Sequence, residues 1–176
     1  MSLKQYQSLV FNANWRASKS MLRNALSDEW RNWLLHKGSL TKKLSDYANG
    51  KFSLRVLGEE WGLPLHYEAN KLGLKLPQWA MIREVELACK GVPTVYARSV
   101  IPHQVYQENK NTLATMGSKP LGHFLSRSAL LQPSMRDICE LRLPNGATCY
   151  GRATLYSYNS GTILVQEFFV DPSIAG

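Results

Sequence analysis

Cysteine, acidic residues and long apolar runs are all scarce in this 176-residue sequence. The three cysteines, Cys89, Cys139 and Cys149, are odd in number and show no C-x-x-C spacing, which argues against a disulfide framework and against a zinc site. We expect them to be small core residues. No apolar run approaches the roughly 20 residues that span a bilayer, and residues 1–16 contain no signal-peptide apolar stretch. The sequence therefore predicts a cytoplasmic protein without membrane insertion.

Motifs for cofactors and for hydrolysis are also missing. The sequence contains no G-x-G-x-x-G, no P-loop and no histidine-rich metal spacing, so we expect neither a nucleotide cofactor nor a metal. No serine or cysteine stands in a G-x-S-x-G pattern, which gives a hydrolytic triad little support. The four histidines are predicted to be surface or structural residues: His36, His66, His103 and His123.

The formal net charge of +8 is unevenly distributed. Residues 1–58 hold ten Lys or Arg and three Asp or Glu, while the remainder of the chain is nearly balanced. The basic residues stand singly, without the glycine-rich or aromatic repeats of an RNA-binding surface. We therefore expect no nucleic-acid partner, although the positive field would attract small anions.

The pattern of apolar residues predicts one α+β domain over residues 1–176. Two short helices begin after serine N-caps, and from Trp79 onward an alternation of period two predicts an antiparallel sheet of about six strands. The segment 59–78, with scattered glycine and proline, suits a surface excursion or a lid. The predicted helices are Asp28–His36 and Leu40–Tyr47, and the predicted strands are Lys51–Leu57, Trp79–Cys89, Thr94–Ile101, Asp137–Leu143, Thr148–Tyr158 and Thr162–Val170.

Three charged residues occupy strand positions that the alternation assigns to apolar faces, namely Arg83, Arg98 and Glu167. A buried charge must be paired or matched to a ligand, because leaving it isolated costs several kcal/mol or more. Whether Arg98 shares the face of Arg83 depends on the hairpin at Lys90–Pro93. A loop of two or four residues would place them together, and a loop of three would separate them. The three charges therefore predict a site for an anion.

The order of several short motifs resembles that of the chorismate pyruvate-lyase family. No single motif is diagnostic, but their order and spacing agree with the charged residues at 83, 98 and 167. The matching pieces are Trp33-Leu34-Leu35 to Ser39-Leu40-Thr41-Lys42, Arg83-Glu84 to Gly91-Val92-Pro93, Ala97-Arg98-Ser99-Val100-Ile101-Pro102, Lys119-Pro120-Leu121-Gly122 and Glu167-Phe168-Phe169.

The resemblance implies a single antiparallel sheet with helices and helical flaps over an enclosed ligand. It implies a cofactor-free lyase that converts chorismate to 4-hydroxybenzoate and pyruvate for ubiquinone biosynthesis, and it favours a monomer. Arg83 would hold the ring carboxylate, with backbone N–H groups at Leu40 and Leu121. Arg98 would face the enolpyruvyl carboxylate or support Arg83. Glu167 would lie by the C4 hydroxyl, where it would orient that group or transfer a proton.

Two other interpretations stay open at this point. Glu167 could form a buried ion pair with Arg83 or Arg98, although all three would then still share a cavity. The domain could also be a non-catalytic effector-binding module of the same fold, as in bacterial transcription regulators, because a fold does not determine a function. The segment 1–50 is too short for the winged helix-turn-helix that normally precedes such a module.

Overall fold

The fold is taken from a computed structural model. It describes residues 1–18, 26–75, 77–114, 117, 119, 121, 133–158 and 161–176. Six helices lie in these ranges: α1 Leu3–Asn12, α2 Asp28–Leu34, α3 Leu40–Tyr47, α4 His66–Leu72, α5 His103–Glu108 and α6 Lys110–Ala114. The strands are β1 Arg16–Ala17, β2 Phe52–Gly62, β3 Ala80–Cys89, β4 Val92–Pro102, β5 Pro133–Arg142, β6 Thr148–Tyr158 and β7 Gly161–Phe169, and a 3₁₀ turn, Pro172–Ala175, follows.

All seven strands form one antiparallel sheet in the order β1-β5-β6-β7-β4-β3-β2. Six of them are long, and β1 contributes only two residues. Three pairs of sequential strands are joined by short connections, β3 with β4, β5 with β6, and β6 with β7, so local turn chemistry fixes much of the topology. The predicted α+β class with about six antiparallel strands is confirmed.

Both faces of the sheet are covered. We call the face that carries Arg83 face A and the opposite one face B. Helices α2 and α3 cover one end of face A, and α5 and α6 cover the other. Helices α1 and α4 pack on face B. Helix α1 is held there by Tyr6, whose ring stacks on Tyr96 at 4.7 Å between centroids.

The predicted boundaries of helices and strands agree best with the structure where the sequence contains a helix cap or a turn motif. Helix α3 begins after Ser39, whose hydroxyl accepts from the Lys42 N–H at 3.3 Å, as an N-cap should. The Asn145-Gly146 turn precedes β6, and Gly146 adopts a φ of 81°, which glycine reaches without strain. After Pro102 the chain is helical through α5 and α6, and most of residues 115–132 fall outside the described residues.

The surface excursion predicted for Glu59–Gln78 is wrong over much of its length. Strand β2 continues through Gly62, and α4 follows with Glu68, Ala69 and Leu72 buried. The reason is tertiary, because the buried Glu68 carboxylate pairs with an arginine of the sheet. Trp61 lies on β2, and its ring contacts His103 and Tyr106.

The cysteines are unpaired and buried, as predicted. Burial raises the pKa of the Cys149 thiol to about 12 and that of Cys139 further still. Such thiols are inert small core residues rather than nucleophiles. Among the helices of the described ranges, none is long and apolar enough to cross a bilayer.

Candidate active site

A row of polar and short side chains crosses the middle of face A. The row follows from strand register, since directly paired residues of an antiparallel sheet share a face. It separates two apolar clusters, one beneath α2 and α3 and the other beneath α5 and α6. The row runs Glu59, Arg83, Ser99, Val165, Thr154 and Arg136. We call this row, together with the neighbouring pair Arg152 and Glu167, the central band.

Arg83 is the best-buried arginine of the row, at 3% exposure. One guanidinium nitrogen, Nη1, donates to the Glu59 carboxylate. The other, Nη2, donates to the carbonyl oxygens of Gly117 at 2.6 Å and Lys119 at 3.2 Å. Its buried Nε has no partner among the residues that the structure describes. A buried donor without an acceptor is costly, so Arg83 has capacity to bind a further anionic group.

Glu167 lies on the same face as Arg83, two strands away and two residues along. Strand spacing and rise place their Cα atoms about 12 Å apart. The carboxylate of Glu167 accepts from the Nε of Arg152 at 2.5 Å. Arg152 is 1% exposed and also donates to the carbonyls of Trp33 at 2.9 Å and His36 at 3.2 Å. Glu167 is therefore held in place by Arg152 and not by Arg83 or Arg98.

Arg152 is the site residue that sequence reasoning missed. Its signal was available, because Tyr150, Arg152 and Thr154 alternate along a strand whose other face is apolar. Its partner was harder to find. The ion pair forms because Arg152 and Glu167 stand directly opposite each other on neighbouring strands, and that register is not visible in the sequence.

Positive charge dominates the end of the central band near Glu167. Burial lowers the pKa of Arg136, and the neighbouring Arg152 lowers it further. Burial likewise lowers the pKa of His36, with Lys43 and Arg152 adding to the effect. Several cations thus surround a single carboxylate, and this excess favours an anionic ligand.

Leu40 and Leu121 lie on opposite sides of the central band. Leu40 belongs to the apolar cluster under α2 and α3, and Leu121 belongs to the cluster under α5 and α6. Leu40 is the first residue of α3. The first N–H groups of a helix lack intrahelical partners and carry a partial positive charge, so they suit a carboxylate.

Arg98 does not lie with Arg83 and Glu167, so the predicted grouping of the three is wrong. The loop of the β3–β4 hairpin has two residues, Lys90 and Gly91, with φ angles of 53° and 81°. A two-residue loop was expected to bring the two arginines together. Thr94, however, is an extra unpaired residue in β4. This bulge shifts the register by one, so that Arg98 pairs with Glu84 on face B.

On face B, Arg98 is neutralised by two buried carboxylates. Its Nε donates to Glu68 at 2.7 Å, and its Nη1 donates to Glu84 at 3.3 Å. Burial alone would lower the pKa of Arg98, but the hydrogen bond and charge of Glu68, together with Glu84, raise it. Arg98 therefore ties α4 to the sheet.

The remaining titratable groups do not form a metal site. Within the described ranges, no group of three or more His, Cys, Asp or Glu side chains is arranged to hold a metal ion. His66 and His103 each bond a side-chain amide one helical turn away, at 3.0 and 3.2 Å. His123 lies outside the described residues.

Comparison with known proteins identifies relatives over most of the chain. The family profile described as chorismate lyase matches residues 9–175. A probable chorismate pyruvate-lyase from Pseudomonas putida is 32% identical over 162 residues, which cover 89% of this chain and 88% of that protein. A probable chorismate pyruvate-lyase from Marinobacter nauticus is 34% identical over 142 residues, covering 80% and 75% of the two chains.

Solved structures share the fold at much lower sequence identity. PhnF from Mycobacterium smegmatis has a TM-score of 0.57 at 15% identity, with 77% of this chain and 64% of that chain covered. A GntR-family transcriptional regulator from Bacillus cereus has a TM-score of 0.55 at 11% identity, with 70% and 93% covered. These likenesses concern the fold alone.

Proposed function

This chain belongs to the chorismate lyase family, and from that premise we propose that it converts chorismate to 4-hydroxybenzoate and pyruvate at the central band of face A. The reaction breaks the C3–O bond of the substrate and removes the proton from C4. The electron pair of that C–H bond completes the aromatic ring. The enolpyruvate oxygen leaves, and its methylene carbon takes up one proton to give pyruvate. No water is consumed.

Aromatisation supplies the driving force, so the protein has to position the substrate and match its charge. Chorismate carries two carboxylates, and a planar guanidinium binds a carboxylate through two parallel hydrogen bonds. Holding the reacting groups in one geometry can remove much of the activation entropy. The buried arginines of the central band can meet these needs.

Arg83 binds the ring carboxylate. Its burial and its free Nε support this role, and the backbone N–H groups of Leu40 and Leu121 complete the contact from the two sides. The substrate then competes for the guanidinium with three groups that accept its hydrogen bonds in this structure. They are the Glu59 carboxylate and the carbonyls of Gly117 and Lys119.

Glu167 accepts the hydrogen bond of the C4 hydroxyl. Arg152 fixes its carboxylate, so the hydroxyl and with it the C4–H bond are oriented relative to the leaving C3 oxygen. The separation of about 12 Å between the Arg83 and Glu167 Cα atoms leaves room for one substituted six-membered ring between the two side chains.

The observation that carries this proposal is the joint placement of Arg83 and Glu167 in a polar band between two apolar clusters. The test compares Arg83→Gln and Glu167→Gln with Glu140→Gln, which replaces an exposed residue of β5 outside the central band. We expect the first two to lose about a hundredfold or more in kcat/KM, because each removes a buried charge-assisted contact. The Glu140 variant should keep wild-type turnover. Full activity of Arg83→Gln or Glu167→Gln in folded protein would contradict the assignment.

A non-catalytic effector-binding role is the second candidate, and the fold shared with transcriptional regulators favours it. It predicts saturable binding of aromatic acids without release of pyruvate. The chorismate lyase assignment further suggests a cytoplasmic monomer, one functional unit over residues 1–176, that supplies 4-hydroxybenzoate for ubiquinone.

A further inference from the structure

Arg136 on β5 is a partly buried arginine without a carboxylate partner. Its Nη1 donates to the carbonyls of Leu34 at 3.1 Å and His36 at 3.0 Å, and its Nε donates to the Thr154 hydroxyl at 3.3 Å. Every other arginine of the central band forms an ion pair, Arg83 with Glu59 and Arg152 with Glu167. Among the ion pairs of the described residues, none includes Arg136.

The neutral contacts of Arg136 orient its guanidinium without neutralising it. Two backbone carbonyls near the end of α2 and a hydroxyl provide dipoles, whereas a guanidinium withdrawn from water is normally balanced by a carboxylate or a phosphate. The neighbouring Arg152 makes the imbalance larger, since it is committed to Glu167 and repels Arg136. Among the described residues, the charge of Glu167 also acts on Arg136, but that carboxylate is already paired with Arg152. This end of the central band therefore keeps an excess of positive charge with a fixed orientation.

Register places Arg136 and Arg83 on one row, with three residues between them. Arg136 pairs with Thr154, Thr154 with Val165, Val165 with Ser99, and Ser99 with Arg83. The two arginines are four strands apart, so their Cα atoms are about 19 Å from each other. The three side chains between them are all short. The row therefore has an arginine on either side of three short side chains, and Glu167 lies beside its middle.

Two arginines on one row match a substrate that has two carboxylates. Arg83 takes the ring carboxylate in the proposed function, and the second carboxylate, on the enolpyruvyl ether, still needs a cation. Arg98 was expected there, but it lies on face B between two carboxylates. Arg152 is occupied by Glu167. Arg136 is the remaining arginine of the central band.

We propose that Arg136 binds the enolpyruvyl carboxylate of chorismate, and this inference rests on the proposed function. Arg136 thereby distinguishes substrate from product, because 4-hydroxybenzoate lacks that group. Binding energy from Arg136 is available to chorismate and to its transition state, and it is lost once pyruvate leaves. Arg83 by contrast holds the carboxylate that both molecules share.

The test separates substrate affinity from product affinity in Arg136→Gln. Pyruvate release, followed by coupled oxidation of NADH with lactate dehydrogenase, gives kcat and KM for chorismate, and calorimetry gives the Kd of 4-hydroxybenzoate. We expect the KM for chorismate to rise about tenfold or more, the scale of one lost charge-assisted contact. The Kd of 4-hydroxybenzoate should change by less than about twofold. Arg83→Gln should weaken both by similar factors.

Two further variants serve as controls for the comparison of substrate and product affinity. Arg142→Gln removes one positive charge from the exposed end of the same strand and should leave both constants unchanged, which controls for net charge. Arg136→Lys keeps a charge but loses the planar fork, so its KM should fall between those of wild type and Arg136→Gln. This variant also serves if Arg136→Gln fails to fold.

Two results would overturn the inference. One is an unchanged chorismate KM in both Arg136 variants, and the other is an equal loss of affinity for substrate and product. Absence of turnover in the wild-type protein would instead refute the proposed function, so the two failures are distinguishable.

Discussion

Glu59 is predicted to compete with the ligand for Arg83. Its carboxylate contacts Nη1 of the buried guanidinium, yet its own side chain is 37% exposed. When a ligand carboxylate binds, this contact has to be weakened or exchanged. Replacing Glu59 with Gln removes the competing charge while keeping the size of the side chain. Ligand binding should therefore become tighter.

The magnitude follows from the exposure of the pair. A fully exposed ion pair is worth about 0–1 kcal/mol and a buried hydrogen bond to a charged group roughly 1.5–3 kcal/mol. With one partner buried and the other in contact with solvent, about 1 kcal/mol is a suitable value. This corresponds to about a fivefold change in Kd. We expect Glu59→Gln to lower the Kd of 4-hydroxybenzoate by about that factor, measured by calorimetry.

Glu60→Gln is the matched control. Glu60 is the next residue of β2, is exposed and pairs with Ile82 on the opposite face. Its removal changes the net charge equally without touching Arg83. Binding by Glu59→Gln that is weaker than wild type would show that Glu59 orients Arg83 instead of competing with the ligand. Binding equal to that of Glu60→Gln would show no specific effect of Glu59 and would also contradict the competition.

Three other predictions concern stability and pH. Glu68→Ala should lower the free energy of unfolding by about 3 kcal/mol in urea titrations, because the buried Arg98 loses the closer of its two carboxylate partners, and a loss under 1 kcal/mol would contradict this. Gly151→Ala should lower the free energy of unfolding by about 1–3 kcal/mol, since the added Cβ would lie 2.8 Å from the Cys139 Sγ. Unchanged stability would show that the neighbouring side chains can move to make room for the methyl group. Burial depresses the pKa of His36, so its contribution to stability is complete above its unfolded value near 6.5 and is lost as pH falls through the folded value. The melting temperature of His36→Gln should therefore fall less than that of wild type between pH 7 and pH 5, and parallel curves would refute this.

Elements with local signals could be predicted from the sequence. Helix α3 was expected at Leu40–Tyr47 and β6 at Thr148–Tyr158, and both have these bounds. A serine cap defines the first, and an Asn-Gly turn precedes the second. Such signals act within a few residues, so they do not depend on the rest of the fold.

Features that depend on tertiary partners could not be predicted. The bulge at Thr94 is held by its own hydroxyl, which accepts from the Cys89 N–H at 3.3 Å and donates to the Val92 carbonyl at 2.9 Å. The hairpin sequence does not distinguish this bulge from regular pairing of the two strands. The bulge nevertheless moves Arg98 to the other face of the sheet. Similarly, a glutamate inside helix α4 looks solvent-exposed until Arg98 is placed against it.

The candidate site was predictable in part. Arg83 and Glu167 were singled out as charges on apolar faces, and the structure brings them onto one face. Arg136 and Arg152 complete the central band only through the register of β5, β6 and β7. A charged residue on the apolar face of a strand thus indicated the site, whereas its ion-pair partner could be identified only from the strand register.

Turnover of chorismate by the wild-type protein tests the central claim most directly. Purified protein is incubated with chorismate in the presence of EDTA and without added cofactors, and the aromatic acid and pyruvate are quantified together. The account predicts 4-hydroxybenzoate and pyruvate in a one-to-one ratio, at a rate proportional to protein concentration. Chorismate that stays intact at every protein concentration would contradict it.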